Sequence, residues 1–164
     1  AASGIAIGLY TFSNAVYALV AYPVGMLADR IDKRAILAAG FALFGVVYAN
    51  FAAAGSQLAA LALLFALAGI GLAIVEAVQP ALASQLIQEH QHGVGFGAMS
   101  AVDGLGDFLS STAMGALWTL LSPATGFLAA CALALLAALL LARLRFDPTA
   151  LQDGEATLPP KTCA

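Results

Sequence analysis

Charged side chains are scarce in this sequence. Six basic and nine acidic residues make up only 9% of the 164-residue chain, whereas a typical soluble domain is about 25% charged. Hydrophobic residues reach 62%, and the mean hydropathy is +0.96. A chain with so little polar surface does not stay in water, so the composition excludes a soluble globular domain and predicts an integral membrane protein.

Cysteine and histidine are also few, which excludes several kinds of site. Cys131 lies within an apolar run and Cys163 lies in the polar tail, so the two thiols are not placed to form a disulfide framework. His90 and His92 have no cysteine near them, which argues against a zinc site. No catalytic nucleophile, metal-ligand set or cofactor loop is evident. We therefore expect neither an enzyme nor a bound metal or cofactor, and no nucleic-acid partner.

Long apolar runs predict five membrane-spanning helices. About 20 apolar residues cross a bilayer, and runs of this length cover residues 4–28, 36–54, 58–84, 94–120 and 123–144. The fold class predicted for residues 1–145 is therefore all-α, a polytopic membrane helix bundle with five transmembrane helices. Residues 146–164 are polar and contain prolines, which is typical of a disordered cytoplasmic tail.

The basic residues predict how these helices are oriented. Cytoplasmic loops of membrane proteins retain Lys and Arg, and all six basic residues fall on one side of the predicted topology: Arg30, Lys33, Arg34, Arg143, Arg145 and Lys161. That side is predicted to be cytoplasmic, so the amino terminus lies outside and the carboxy terminus in the cytoplasm. The first helix begins almost at residue 4 without an initiator methionine, so we also expect at least one further helix upstream.

Three acidic residues lie inside the predicted spans. A charged group at the middle of a bilayer costs about 2.5 to 3.5 kcal/mol on insertion scales, so such a group is expected to face a cavity or a partner. Glu76 lies in the third helix, and Asp103 and Asp107 lie in the fourth. At 3.6 residues per turn the fourth helix places its polar residues within one stripe of about 100°. The stripe contains Ser100, Asp103, Asp107, Ser110, Ser111, Met114 and Trp118.

Polar residues also share one face of the first helix and one face of the third. On the first helix the residues that line up are Ser3, Tyr10, Asn14 and Tyr17, and Gln79 follows Glu76 on the third. The second and fifth helices carry few polar side chains, so we predict that they are lipid-facing supports. The predicted proton or substrate pathway consists of Glu76, Gln79, Asp103, Asp107, Asn14 and Tyr10.

Two interpretations of the acidic residues remain open at this point. Apolar surroundings favour the protonated form of a carboxyl group, and such groups recur in proton-coupled carriers. The alternative is that the acids only form hydrogen bonds with neighbouring helices. Glycine pairs four residues apart, Gly4 with Gly8 and Gly93 with Gly97, further predict close helix contacts.

The charged segment between the first two helices resembles the loop signature of the major facilitator superfamily. That signature is Gly, two or three variable residues, Asp-Arg, a variable residue, Gly and two basic residues. The matching segment here is Gly25-Met26-Leu27-Ala28-Asp29-Arg30-Ile31-Asp32-Lys33-Arg34, in which Asp32 stands at the second glycine. The run at residues 21–25, the segment at residues 76–82 and the glycine-rich start of the fourth helix also resemble the carboxy-terminal half of a twelve-helix carrier.

The resemblance implies a partial major-facilitator fold in which the five helices are helices eight to twelve. It implies a secondary transporter of a small solute, working by alternating access together with a missing amino-terminal half. The expected location is the lipid bilayer of a bacterial cytoplasmic (inner) membrane. A register as helices two to six fits less well, because the third span lacks an arginine and the fourth lacks a Gly-Pro motif that many relatives carry. The chain is also compatible with a non-transporting fragment that assembles with a partner, or with an inactive remnant.

The family also implies roles for the signature loop. Asp29 matches the acid that faces the positive end of a helix from the other half, and Gly25 matches the glycine that permits close helix approach. Arg30, Lys33 and Arg34 match basic positions that join a cytoplasmic charge network. Ordinary positive-inside topology also explains the basic residues, but it explains neither Asp29 nor Gly25.

Overall fold

The computed structural model describes residues 2–53, 55, 57–87 and 91–143, which form five α-helices and contain no β-strand. The helices are α1 (Ala2–Ala28), α2 (Lys33–Ala53), α3 (Leu58–Leu86), α4 (His92–Leu120) and α5 (Pro123–Arg143). All five predicted helices are present, and each end lies within three residues of its predicted position. The predicted tail at 146–164 lies outside the described residues, as do Arg145 and Lys161.

Four of these helices are both long enough and apolar enough to cross a membrane. They are α1, α2, α3 and α5. α4 has 29 residues and therefore the length to span a bilayer, but Asp103, Asp107 and its hydroxyl residues lower its hydropathy. The all-α membrane bundle is thus confirmed, with α4 as its most polar helix.

The turn between α1 and α2 is closed by Asp32. α1 ends with backbone hydrogen bonds from the Arg30 and Ile31 amides to the Leu27 carbonyl, at 3.0 and 3.1 Å. Asp32 Oδ1 then accepts a hydrogen bond from the Arg34 amide at 3.1 Å, which is the bond of a helix N-cap. No described residue has a positive φ angle. The turn therefore needs no glycine at position 32, and the aspartate instead caps α2.

The helices pack in the spatial order α1, α3, α2, α5 and α4. α1 packs against α3, α3 also packs against α2, and α2 packs most extensively against α5. Ser13 lies beside Gly69, and Tyr17 lies beside Glu76, so α1 and α3 run in the same direction. α2 runs opposite to both α3 and α5, because residue numbers that rise along α2 meet residue numbers that fall along its two neighbours.

α2 is the central helix of the described bundle, and the buried apolar residues cluster around it. Val47 is fully buried on α2, and Ile36 and Leu37 join Ala28 and Val78 in one cluster of buried apolar residues. The apolar pattern of α2 predicted a lipid-facing support and did not indicate that it is the central packing helix. Lipid chains and apolar side chains are equally apolar, so composition alone does not separate a lipid-facing helix from a packed one.

α4 is held mainly at its two ends. At its start, an added Cβ on Gly95 would lie 2.7 Å from the Ile87 side chain, and the His92 ring lies within hydrogen-bond distance, 3.1 Å, of the Ile87 carbonyl. At its end, Trp118 and Met114 pack over Gly126 of α5. Between these ends no α4 residue is buried.

The glycine pairs predicted to make close helix contacts do not make them within the described chain. Gly4, Gly8, Gly93 and Gly97 have nothing within 4 Å of an added Cβ. The close contacts occur elsewhere, and the tightest against backbone is at Gly69, where an added Cβ would lie 2.5 Å from the Ser13 carbonyl oxygen. Four-residue spacing was therefore a poor guide to which glycines are used inside this bundle.

Candidate functional site

The candidate site begins at the crossing of α1 and α3. Gly69 allows the two backbones to approach so closely that a side chain at this position would collide with the Ser13 carbonyl. Tyr17 lies one turn beyond Ser13, and Glu76 lies two turns beyond Gly69. The Tyr17 hydroxyl spans the remaining distance and donates a hydrogen bond to Glu76 Oε2 at 2.6 Å. The close crossing thus places a phenol from α1 on an acid of α3.

A second pair of hydrogen bonds joins α3 to α4. Gln79 Nε2 donates to Asp103 Oδ1 at 3.1 Å and to Oδ2 at 3.3 Å. Glu76 and Gln79 are three residues apart and therefore share one face of α3. Polar side chains consequently connect α1, α3 and α4, which are the three helices predicted to border a polar route.

The three acids lie on the surface of the described chain. Glu76, Asp103 and Asp107 are all exposed, and Gln79 is partly buried. The Asp107 carboxylate has no hydrogen-bond partner among the described residues. Because a carboxylate is costly to expose to hydrocarbon, this face fits water or additional protein better than lipid.

The two predicted site residues of α1 are not brought into this network. Asn14 Nδ2 donates to the Tyr10 carbonyl of its own helix at 2.9 Å, and the Tyr10 side chain is 66% exposed. Within the part of the chain that the structure describes, neither side chain forms a hydrogen bond to another helix. Tyr17, three residues after Asn14 on the same face, makes the contact instead. This spacing could have indicated Tyr17 as a site residue. It was not chosen because an aromatic residue in a membrane helix is more often a packing residue.

The polar face of α4 continues past Asp107 into an open cavity of about 430 Å³. The cavity lies between α2, α4 and α5 and combines hydroxyl, aromatic and small residues: Tyr48, Ser110, Ser111, Met114, Gly115, Trp118 and Ala130. Tyr48 stacks on Phe44 of the same helix at 5.7 Å between ring centroids. Sequence reasoning gave Tyr48 no part in the site, because it is nearly alone as a polar residue on an apolar helix.

The signature loop lies apart from this network, at one end of the bundle. The alternating directions of the helices bring Arg143, at the end of α5, to the same end as Arg30, Lys33 and Arg34. No described residue lies within 4 Å of a Cβ added at Gly25. Asp29 is exposed, and its carboxylate has no hydrogen-bond partner among the described residues. Both signature positions are therefore open to contact from outside the described chain.

Among the described residues there is no group of three or more His, Cys, Asp and Glu side chains that could hold a metal ion. Glu76 of α3 and Asp103 of α4 accept hydrogen bonds from a phenol and an amide, respectively.

Known proteins similar to this chain are membrane transporters. Residues 1–162 match the profile of the Major Facilitator Superfamily. An uncharacterised MFS-type transporter of Methanocaldococcus jannaschii is 37% identical over 137 residues, which cover 84% of this chain. The chain spans 34% of the length of that relative. No solved structure matches the chain. These similarities point to a transporter family and not to an enzyme.

Proposed function

Because the chain belongs to the major facilitator superfamily, we propose that it forms helices eight to twelve of a secondary transporter. The transporter moves a small solute across the membrane by alternating access and couples this movement to protons. The proposed pathway includes Glu76, Gln79, Asp103 and Asp107, with Asn14 and Tyr10 lining α1 farther from the hydrogen-bonded pairs.

One observation carries this proposal: the acidic residues lie along one exposed polar face that joins three helices. Tyr17 donates a hydrogen bond to Glu76, and Gln79 donates one to Asp103. These bonds connect the polar residues of α1, α3 and α4. Transporter sites of this kind lie near the bilayer midplane, between repeats that move against each other. The rest of the transporter is proposed to cover this face and to enclose a water-filled route along it.

The signature loop is proposed to act at the junction with the missing amino-terminal half. The amino terminus of a helix behaves as about half a positive charge, and Asp29 is free to face such a terminus. Gly25 leaves room for that helix to approach. Arg30, Lys33 and Arg34 then lie on the cytoplasmic side of the inner membrane, which places the start of α1 outside.

Uptake by the complete transporter in proteoliposomes tests the proposal. A panel of candidate solutes is screened with and without an imposed pH gradient, and the hits are repeated with Glu76→Gln and Asp107→Asn. We expect gradient-driven uptake in the unmodified protein and loss of the gradient dependence in both variants, because neither amide exchanges a proton as a carboxyl group does.

Asp32→Asn is the matched control for these variants. It makes the same chemical change in the loop, where asparagine remains a good N-cap, and should keep the uptake of the unmodified protein. Unchanged gradient dependence in both Glu76→Gln and Asp107→Asn would remove proton coupling from these residues. Uptake of no solute by the complete protein would favour a non-transporting fragment or an inactive remnant.

A further inference from the structure

Tyr17 of α1 reaches an acid of the proposed pathway. Its hydroxyl and Glu76 Oε2 are 2.6 Å apart, which is an ordinary distance for a hydrogen bond from a hydroxyl to a carboxylate. The two residues are 59 positions apart in sequence. The bond therefore depends on the packing of α1 against α3 and not on local helix geometry.

The α1–α3 crossing fixes where this bond can form. Gly69 lies against the Ser13 carbonyl, where no side chain fits, so the helix separation is set by backbone contact. Tyr17 is half-buried, whereas Glu76 is exposed. The phenol consequently holds one carboxylate oxygen at the crossing, and Oε1 has no hydrogen-bond partner among the described residues.

We propose that Tyr17 is a positioning residue for Glu76. It holds the carboxylate against α1, and a movement that separates α1 from α3 releases Oε2 and makes both oxygens available to a proton or a solute. This inference rests on the proposed function, since it assigns to Tyr17 the orientation of an acid on the transport pathway. Aromatic packing alone would fix the ring but would leave the chemistry of Glu76 unchanged.

Carboxyl labelling of the complete transporter in its membrane tests the inference without a known solute. The probe is dicyclohexylcarbodiimide, an apolar reagent whose carbodiimide carbon is attacked by a carboxyl oxygen. Peptide mass spectrometry separates modification of Glu76 from modification of Asp103. Glu76→Gln identifies the Glu76 adduct by its loss. Tyr17→Phe removes only the hydroxyl. Tyr22→Phe makes the same change at an exposed tyrosine of α1 whose hydroxyl forms no hydrogen bond with described residues.

We expect Tyr17→Phe to raise the labelling rate of Glu76 by about threefold or more, the factor that matches an average interhelical hydrogen bond in a membrane protein. The Asp103 rate should stay constant, and Tyr22→Phe should change neither rate. An unchanged Glu76 rate in Tyr17→Phe overturns the inference. An equal rise at Glu76 and Asp103 also overturns it, because that result shows a general loosening of the bundle.

Failure of this inference is distinguishable from failure of the proposed function. Solute uptake that does not depend on Glu76 contradicts the proposed function, whatever the labelling shows. A Glu76 labelling rate that ignores the Tyr17 hydroxyl contradicts the positioning role alone, even where uptake depends on Glu76.

Discussion

α3 and α4 are both 29 residues long and both carry acidic residues, yet α3 is packed between other helices and α4 is largely exposed. α3 lies between α1 and α2 and contains five buried residues, whereas α4 contains none. Gly69 and Gly71 of α3 are covered by neighbouring helices, while Gly97 and Gly104 of α4 have nothing within 4 Å of an added Cβ. Small residues allow membrane helices to approach closely, so the open face of α4 is suited to a neighbour outside this chain.

The comparison also separates two uses of polar side chains. On α3, both Glu76 and Gln79 are engaged by adjacent helices. On α4, Asp103 is engaged and Asp107 is not, within the described part of the chain. The acid of α3 is therefore held by a neighbouring helix, whereas α4 keeps one carboxylate available to a partner outside the described chain.

The largest expected effect comes from filling the packed glycine of α3. Gly69→Ala places a Cβ against the backbone carbonyl of Ser13, which cannot rotate away as a side chain can. Overpacking of this kind costs about 1 to 3 kcal/mol, so we expect a lower midpoint of thermal unfolding for the detergent-solubilised 164-residue chain.

The matched control is Gly97→Ala on α4, where no described residue lies within 4 Å of an added Cβ. It should leave the stability unchanged or raise it, because alanine is the better helix former by about 1 kcal/mol. Equal destabilisation by the two substitutions would contradict the claim that Gly69 is tightly packed and Gly97 is not.

A smaller effect is expected from removing the cap of α2. Asp32→Ala deletes the acceptor for the Arg34 amide, and loss of an N-cap side chain costs typically about 1 kcal/mol. Amide hydrogen exchange should become faster in the first turn of α2 and remain unchanged in α4.

Asp32→Gly restores the glycine of the family signature and provides the comparison. Glycine is itself an acceptable N-cap and loses only a few tenths of a kcal/mol. If the amide hydrogens in the first turn of α2 exchange at the same rate in Asp32→Ala and Asp32→Gly, the interpretation of Asp32 as a helix cap is wrong.

The smallest of these effects concerns the bond between α3 and α4. Gln79→Leu removes the donor to both Asp103 oxygens, and interhelical hydrogen bonds in membrane proteins contribute about 0.6 kcal/mol on average, up to about 1.7. Hydrogen exchange around Asp103 should increase about threefold.

Gln85→Leu is the control for that substitution. It makes the same change on an exposed part of α3 and should leave exchange in α4 unaltered. Faster exchange around Asp103 in both variants would mean that the Gln79 bond does not hold α4.

The sequence was informative about the helices and about which of them carry polar faces. Apolar runs and charged connections are local properties, and they placed all five helices within three residues of their observed ends. Which helices pack against each other is not a local property of the sequence. Which glycines pack, that α2 is central, and that Tyr17 rather than Tyr10 reaches Glu76 all depend on how helices cross, and many crossings satisfy the same apolar pattern.

Position 32 illustrates the same limit on a smaller scale. Asp32 departs from the signature glycine, and sequence comparison alone treats this as a mismatch in the turn. The structure instead shows the aspartate as the cap of α2. Asp32 therefore stabilises the turn although it departs from the signature pattern.

The most direct test of the account is the water accessibility of α4 in the complete transporter. Single cysteines at Ser100 and Ser111 report the polar stripe, and single cysteines at Val102 and Leu109 report the opposite face, with the native Cys131 and Cys163 replaced by serine. The account predicts that a charged, membrane-impermeant thiol reagent modifies the first pair and spares the second. Modification of Val102→Cys and Leu109→Cys alone, or of none of the four from either side of the membrane, would contradict it.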